Sequence, residues 1–294
     1  MHDTPTDSTV PTPTHGTVPA DWTARYLALL GVEPAAPSLD ALTRLVQAHV
    51  FTVPFENVTA LLRRRDCPTG PVPPPDPAAL LTSWEERSGG GVCFEIAMMV
   101  ARLLTALGYR AHLVLGQISL PFGHNAVVVE LAGRSYLVDL GNGAPIFEPI
   151  PLGEPFEVHR HGLSFRFRAG DVPDQLMQDR MIDGDWKAHC RYSLLPAQDA
   201  DRDAGYQHHH TPNASWVTGT LTMVRSTADA AYTLRDSILT RHTAGGKTTE
   251  TLTDAAAYAR MAAEVYGLPA LRIGDALAVR AEFAARATGA TNTR

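Results

Sequence analysis

Apolar residues recur at helical spacing in the first part of the chain, a pattern typical of amphipathic helices packed on a core. Residues 20–32 show this spacing and stop at Gly31. A second helix begins after Ser38, a residue suited to cap it, and ends before Pro54. The segment from Cys93 to Tyr109 is apolar nearly all round, which predicts a helix buried at the centre of the fold.

The pattern changes from helical to strand-like after residue 110. Three strands are predicted first, and a turn signal at 132–134 joins the second and third of them as a hairpin. Further strands are predicted within 146–200 and over 216–250, and two alanine-rich helices follow. The first three strands are predicted at Ala111–Leu120, Asn125–Leu131 and Ser135–Leu140, and the last two helices at 254–266 and 274–287.

Composition narrows the class of protein. The chain has 294 residues, 45% of them hydrophobic and 19% charged, so it can bury a sizeable core. A formal net charge of −6 argues against a general nucleic-acid binder, which needs a basic surface. No apolar run approaches the roughly 20 residues that span a bilayer. With no targeting segment recognisable, we expect a cytoplasmic protein without a membrane partner.

The chain has three cysteines, too few and too scattered for a disulfide scaffold or an all-cysteine zinc site. Cys93 stands out because Gly89–Gly91 precedes it and a predicted helix starts at it. The positive end of a helix favours a thiolate over a thiol, which is what a nucleophilic cysteine requires. The alternative is that Cys93 is simply a small buried apolar residue.

A nucleophilic cysteine needs a base and a group that orients the base. His124 stands at the start of one strand of the predicted hairpin, and Asp139 stands at the end of the other. If the hairpin loop is Ala132-Gly133, Asp139 lies diagonal to His124 on the same face, within reach of it. A loop shifted by one residue, or lengthened to three, separates them, so the sequence leaves the pairing open.

Two other readings of the histidines and the cysteine are weaker. The run His208–His210 cannot easily converge on one metal ion, and we interpret it as an exposed loop. His159 and His161 share a strand face but have no evident third ligand, so no metal site is expected. A papain-like hydrolase would also use Cys and His, but Asp139 stands where that class has asparagine.

Several motifs, in order and spacing, resemble those of the arylamine N-acetyltransferase family. The resemblance covers roughly residues 20–270 and includes the proline-phenylalanine-glutamate-asparagine signature and the nucleophile motif. The segments that carry it are Tyr26-Leu27, Ser38–Leu42, His49, Val53–Asn57, Gly90–Glu95, Leu107–Tyr109, His124, Val138–Gly141 and Pro212–Trp216.

The resemblance implies an α+β fold in three parts: an N-terminal helical bundle, a central β-barrel-like region and a C-terminal α/β lid. It places the nucleophile in a cleft between the first two parts. The boundaries we predict are a flexible tail at 1–18, the helical part at 19–108, the β-barrel-like part at 109–205 and the lid at 206–294.

The resemblance also implies the chemistry. In a ping-pong reaction the Cys93 thiolate, paired with His124, would take an acyl group from a thioester, most often acetyl-CoA, while Asp139 orients His124. The acyl group would then pass to a small acceptor such as an arylamine or hydrazine. No bound cofactor or metal is implied. The predicted substrate contacts are Phe55, Gly91, Val92, Phe122, Gly123 and Asn142.

The chain departs from the family pattern at three positions. Gly89 stands where the family usually has arginine and Ala97 where it usually has asparagine. Asn142 stands where a phenylalanine usually lines the acceptor pocket, which implies a more polar pocket. A second function therefore stays open, that of a biosynthetic amide synthase releasing a chain from an acyl carrier protein as an amide, macrolactam or ester. The six prolines in Cys67–Pro77 predict an irregular segment that could widen the cleft for such a chain.

Overall fold

The structure is a computed structural model that describes residues 18–118 and 121–291. The tail predicted at 1–18 lies, except for Val18, outside the described residues. The predicted end of the first strand, at Ser119-Leu120, lies outside them as well.

Five helices precede the first long strand. The first ends at Gly31, which adopts the left-handed conformation, and the second is capped by the Ser38 hydroxyl, both as predicted. The fifth begins at Cys93 and is buried along most of its length, because apolar side chains surround it. The helices are α1 (Trp22–Leu30), α2 (Leu39–Thr52), α3 (Val58–Asp66), α4 (Pro77–Glu85) and α5 (Cys93–Ala106).

An antiparallel sheet of eight strands forms the barrel-like middle part. Its buried core contains apolar side chains from strands at both ends of the sheet. The strands lie in the order β5-β4-β3-β2-β9-β8-β7-β6. They are β2 (Arg110–Gln117), β3 (His124–Leu131), β4 (Arg134–Val138), β5 (Ile150–Pro151), β6 (Phe156–Arg160), β7 (Leu163–Ala169), β8 (Gln175–Ile182) and β9 (Asp185–Ser193).

A second sheet, of five strands, forms the C-terminal part with helices beside it. Its edge strand comes from the N-terminal part: β1 (Phe55–Glu56) pairs with β10. The remaining elements are α6 (Asp199–His210), α7 (Trp216–Gly219), β10 (Thr222–Ser226), β11 (Ala231–Arg235), β12 (Ile238–Thr243), β13 (Gly246–Thr251), α8 (Ala255–Glu264) and α9 (Ile273–Thr291). The α+β class and its three-part order are confirmed.

The predicted boundaries between the three parts of the fold stay predictions. The one at residues 108 and 109 falls between α5 and β2, in the connection between helices and sheet. The one at residues 205 and 206 falls inside α6. Because β1 lies in the C-terminal sheet, the first and third parts share a backbone ladder.

The interpretation of His208–His210 as an exposed loop is wrong. These residues form the last turn of α6, and the side chains of His209 and His210 are buried. The helix turns both rings inward, toward contacts that an isolated polar run does not reveal. Among the described residues, no group of three or more His, Cys, Asp or Glu is arranged to hold a metal ion. No helix within 18–118 or 121–291 is long and apolar enough to cross a membrane.

Candidate active site

The glycine segment before Cys93 is fixed by β1. The Glu56 amide donates to the Gly91 carbonyl at 3.0 Å, and the Glu56 carboxylate accepts from the Gly90 amide at 3.0 Å. A Cβ on Gly90 would lie 2.0 Å from the Pro54 carbonyl oxygen, so only glycine permits this approach. The signature at residues 53–57 thus shapes the chain that leads to the cysteine.

Cys93 is the first residue of α5 and is 4% exposed. The turn is closed by Glu95, whose carboxylate accepts from the Val92 amide at 2.8 Å and pairs with Arg63 at 2.5 Å. The Cys93 side chain belongs to a small buried cluster with Val72, Phe94 and Tyr206. The cysteine is therefore held on rigid backbone at the positive end of a buried helix.

The hairpin has the register that brings His124 and Asp139 together. Leu131 pairs with Arg134, so the loop is Ala132-Gly133, and β4 ends at Val138 opposite Val127. Asp139 follows immediately, and its Oδ2 lies 2.7 Å from His124 Nε2. Of the registers that the sequence left open, the structure has the first.

His124 is 1% exposed and interacts with both Asp139 and Cys93. Burial by itself lowers the pKa of His124. The carboxylate of Asp139 and the negative charge of a Cys93 thiolate raise it more, so its pKa lies well above the usual range. Because Nε2 is held by Asp139, Nδ1 is the ring nitrogen left for the sulfur. The geometry suits an imidazolium held between the Asp139 carboxylate and the Cys93 sulfur.

Asp139 is held by several donors. Oδ2 accepts from the Tyr192 hydroxyl at 2.6 Å and from the Asn142 amide at 3.2 Å, and Oδ1 accepts from the Gly141 backbone at 3.2 Å. Burial alone would raise the pKa of this carboxyl. His124 and the donors outweigh it and lower the pKa below its usual value. The carboxylate is thus kept ionised and oriented.

The turn after Asp139 touches the nucleophile. A Cβ on Gly141 would lie 2.5 Å from Cys93 Cα and 2.6 Å from Cys93 Cβ. Distances this short leave no room for a side chain, so glycine is required for the turn to pass behind the cysteine.

The predicted substrate contacts stay predictions, and the residues differ in what they present. Phe55 is buried, with its ring 5.8 Å from that of Trp216. Phe122 is 43% exposed and has a backbone φ of 58°. Asn142 directs its amide at Asp139, and also at Gln178 Oε1 at 2.8 Å. The remaining members are Gly91 in the β1 bridge, Val92 as the N-cap of α5, and Gly123 directly before His124.

The proline-rich segment packs on the site. Val72 is buried in the cluster of Cys93, and both its backbone groups bond the Gln207 amide of α6, each at 2.8 Å. Tyr206 donates to the Pro73 carbonyl at 3.3 Å. The segment is irregular as predicted, and its Val72 packs in the cluster that contains Cys93.

Sequence reasoning missed Tyr192, Gln178 and His209. Tyr192 and Gln178 lie on β9 and β8, and nothing in a strand pattern shows that they meet Asp139. The sequence interpretation places His209 in a loop, whereas it lies in α6. The signal available for it was the helical spacing of Arg202, Tyr206 and His209, all buried on α6.

The chain is similar to known proteins over most of its length. The family model of the N-acetyltransferases matches residues 38–272. The chain is 30% identical over 270 residues to an arylamine N-acetyltransferase of Mycobacterium tuberculosis, covering 86% of this chain and 92% of that one. It is 31% identical over 235 residues to one of Mycolicibacterium smegmatis, covering 75% and 82%.

Solved structures show the same fold. Mycobacterium marinum arylamine N-acetyltransferase in complex with CoA matches with a TM-score of 0.74 at 25% identity, over 89% of this chain and 98% of that one. The fold and the matched length define an acyltransferase of the N-acetyltransferase class. Within that class the chain belongs to the arylamine N-acetyltransferase family.

Proposed function

We propose that this chain transfers an acetyl group from acetyl-CoA to an arylamine or hydrazine through a thioester on Cys93. The observation that carries the proposal is His124, buried and interacting with both the Cys93 sulfur and Asp139. Family membership supports the reaction type, and the CoA complex of the relative from Mycobacterium marinum supports CoA as carrier.

In the first half-reaction the Cys93 thiolate attacks the carbonyl carbon of the thioester. The tetrahedral intermediate collapses, the carbon–sulfur bond to CoA breaks, and the CoA sulfur leaves with the proton of the His124 imidazolium. The products are acetyl-Cys93, neutral His124 and free CoA. We assign the Cys93 amide to the developing oxyanion, because amides in the first turn of a helix lack intrahelical acceptors.

In the second half-reaction the acceptor amine attacks the acetyl carbon. Neutral His124 takes the proton that the amine loses, and the Cys93 thiolate leaves. This restores the imidazolium and thiolate, so each cycle ends in the state in which it began. Asp139 stabilises the imidazolium and keeps the ring oriented. The exposed Phe122 ring offers an apolar surface for an aromatic acceptor.

The proline-rich segment favours a short acyl group. Val72 fills space in the cluster around Cys93, and Gln207 holds it there. A long chain from an acyl carrier protein would need this segment to move. The amide-synthase function is therefore the alternative outcome of the test and not the first choice.

The test is intact-protein mass spectrometry after mixing with acetyl-CoA. We expect an acetyl adduct that is lost in Cys93→Ser and removed by an arylamine. Cys190→Ser is the matched control, because Cys190 is buried and burial raises the pKa of its thiol to about 12, so it should stay unreactive. An adduct that survives in Cys93→Ser would overturn the proposal. Acylation by a carrier-protein thioester but not by acetyl-CoA would establish the alternative.

A further inference from the structure

His209 makes two contacts that lead to the two reactive residues. It is 1% exposed in the last turn of α6, and its Nε2 lies 2.7 Å from the Gly123 carbonyl oxygen. That carbonyl belongs to the peptide that leads into His124. The ring also packs edge-on against Phe94, the residue after Cys93, with centroids 5.6 Å apart. One side chain thus touches the neighbours of both Cys93 and His124.

The protonation state of His209 follows from its partners. Burial lowers the pKa of His209 to about 4, so the ring is neutral near neutral pH. A carbonyl can only accept, so Nε2 carries the proton and donates it to Gly123. Nδ1 then accepts from the Ser215 hydroxyl at 3.0 Å, while that oxygen accepts from the Val217 amide at 3.2 Å. Every ring nitrogen has a partner of the right kind.

The segment that His209 holds is strained. Phe122 has a φ of 58°, in the left-handed region that side chains other than glycine rarely adopt. A conformation of this kind persists only when its surroundings hold it. Here the Phe122 carbonyl is pressed against α6 at Gly205, where a Cβ would lie 2.2 Å from the carbonyl oxygen. The next carbonyl, that of Gly123, is the one that His209 bonds.

We propose that His209 is a positioning residue that holds the segment before His124 against the start of α5, and so sets the imidazole of His124 against the Cys93 sulfur. The proposal rests on the proposed roles of Cys93 and His124. His209 touches neither reacting atom. It acts through Gly123 on one side and Phe94 on the other, and Gly205 supplies the close approach of α6 that makes both contacts possible.

The test compares amide replacements of His209. In glutamine the amide nitrogen lies as many bonds from Cα as Nε2, so His209→Gln can keep the bond to Gly123. In asparagine it matches Nδ1, so His209→Asn can keep only the contact with Ser215. His209→Phe keeps the ring and loses both bonds. The readout is the rate at which iodoacetamide alkylates Cys93 at pH 6 and pH 9, followed by peptide mass spectrometry, which needs no substrate.

We expect the ratio of the pH 6 rate to the pH 9 rate to fall about tenfold in His209→Phe and His209→Asn, which is the change produced when the rate profile shifts by one pH unit. In His209→Gln the ratio should stay near that of wild type. The control is His210→Phe. His210 is equally buried in the same turn, but its hydrogen bond is to the Tyr206 carbonyl of its own helix at 2.9 Å. It should lower stability without moving the ratio.

A variant at a different residue tests the proposal even if the His209 variants do not fold. Gly205→Ala adds one methyl group against the Phe122 carbonyl, and should lower the same ratio although alanine favours helices. The proposal is overturned if His209→Asn and Gly205→Ala keep the wild-type ratio, or if His210→Phe shifts it as much as His209→Phe. Failure of the proposed function would look different, because the wild-type chain itself would then take no acetyl group from acetyl-CoA.

Discussion

Two buried histidines in this molecule have opposite acid–base behaviour. His124, in the cleft, is 1% exposed, and His49, in the last turn of α2, is 2% exposed. The pKa of His124 is raised well above the usual range, whereas burial lowers the pKa of His49 to about 3. His49 lies among the rings of Tyr26 and Trp84, with centroids 6.0 Å and 5.6 Å away.

The difference shows that burial alone does not decide the charge of a histidine. Removal from water disfavours the imidazolium at both sites. Beside His124 a carboxylate at 2.7 Å and the cysteine sulfur outweigh this effect. Beside His49 aromatic rings and leucine side chains are packed, and they do not stabilise a positive charge in the same way. The first environment can hold and release a proton during a reaction. The second keeps a neutral ring as part of the core.

The largest expected effect comes from making the His124 site resemble that of His49. Asp139→Asn keeps the shape of the side chain and removes the charge that holds the imidazolium. We expect acetylation of Cys93 by acetyl-CoA to slow about 10⁴-fold, the loss typical of this change in a triad. Single-turnover mass spectrometry of the acetyl adduct measures it.

Asp179→Asn is the matched control for Asp139→Asn. Asp179 is also buried, and its pKa is also lowered: burial would raise it, but hydrogen bonds from Arg168 and Arg166 outweigh burial. It lies in the barrel, so this variant should lose stability and keep the acetylation rate within about twofold. Equal slowing in both variants would show that a buried charge is needed for folding, and that Asp139 has no special part in the chemistry.

A smaller effect should come from moving the nucleophile and leaving the charges in place. Gly141→Ala forces either the turn after Asp139 or the start of α5 to shift, because the new Cβ would overlap Cys93. A displacement of about 1 Å can cost about 100-fold in rate, and we expect a loss of that size in Cys93 acetylation.

The matched control is Gly274→Ala in α9, where a Cβ meets no atom within 4 Å. It should leave the rate unchanged and leave the free energy of unfolding equal or slightly higher, because alanine favours a helix and Gly274 lies in the first turn of this one. A Gly141→Ala enzyme as fast as this control would refute the close packing of the turn on Cys93.

Local sequence patterns predict much of the fold and the three central residues of the candidate site. Gly31, Ser38 and the turn at 132–134 are boundary signals that can be recognised within a few residues of sequence. Each of them ends or begins an element as predicted. Cys93, His124 and Asp139 could be named because glycines, a strand start and a strand end mark them. What the sequence could not fix was the hairpin register, because a shift of one residue preserves the same pattern.

The remainder of the site depends on contacts between distant segments. Tyr192 reaches Asp139 from 53 residues away, and Gln207 holds Val72 from 135 residues away. No periodicity encodes such pairs. For His209 the sequence pattern leads to a wrong prediction of exposure. Three consecutive histidines resemble an exposed run, but the packing of α6 on Phe94 and Gly123 makes the middle one a core residue. Polar residues mislead when their partners lie elsewhere in the chain.

The smallest expected effect concerns His49 and the pH dependence of stability. The folded pKa is about 3, and an unfolded histidine has a pKa of about 6.5. Between these values the unfolded chain binds a proton that the folded chain does not. The contribution of His49 to stability is therefore complete above pH 6.5 and declines as the pH falls toward 3, by about 1.4 kcal/mol per pH unit. His49→Phe removes this decline.

Denaturant unfolding at pH 6 and pH 5 measures it, and Tyr26→Phe, in the same aromatic cluster, is the control that should change stability equally at both pH values. For His49→Phe we expect the difference between the two pH values to shrink by about 1 kcal/mol relative to wild type. An unchanged difference would mean that His49 already carries a proton when folded. The contrast with His124 would then fail. Both rings would carry a proton in the core, so the carboxylate beside His124 would not be what decides the charge of a buried histidine.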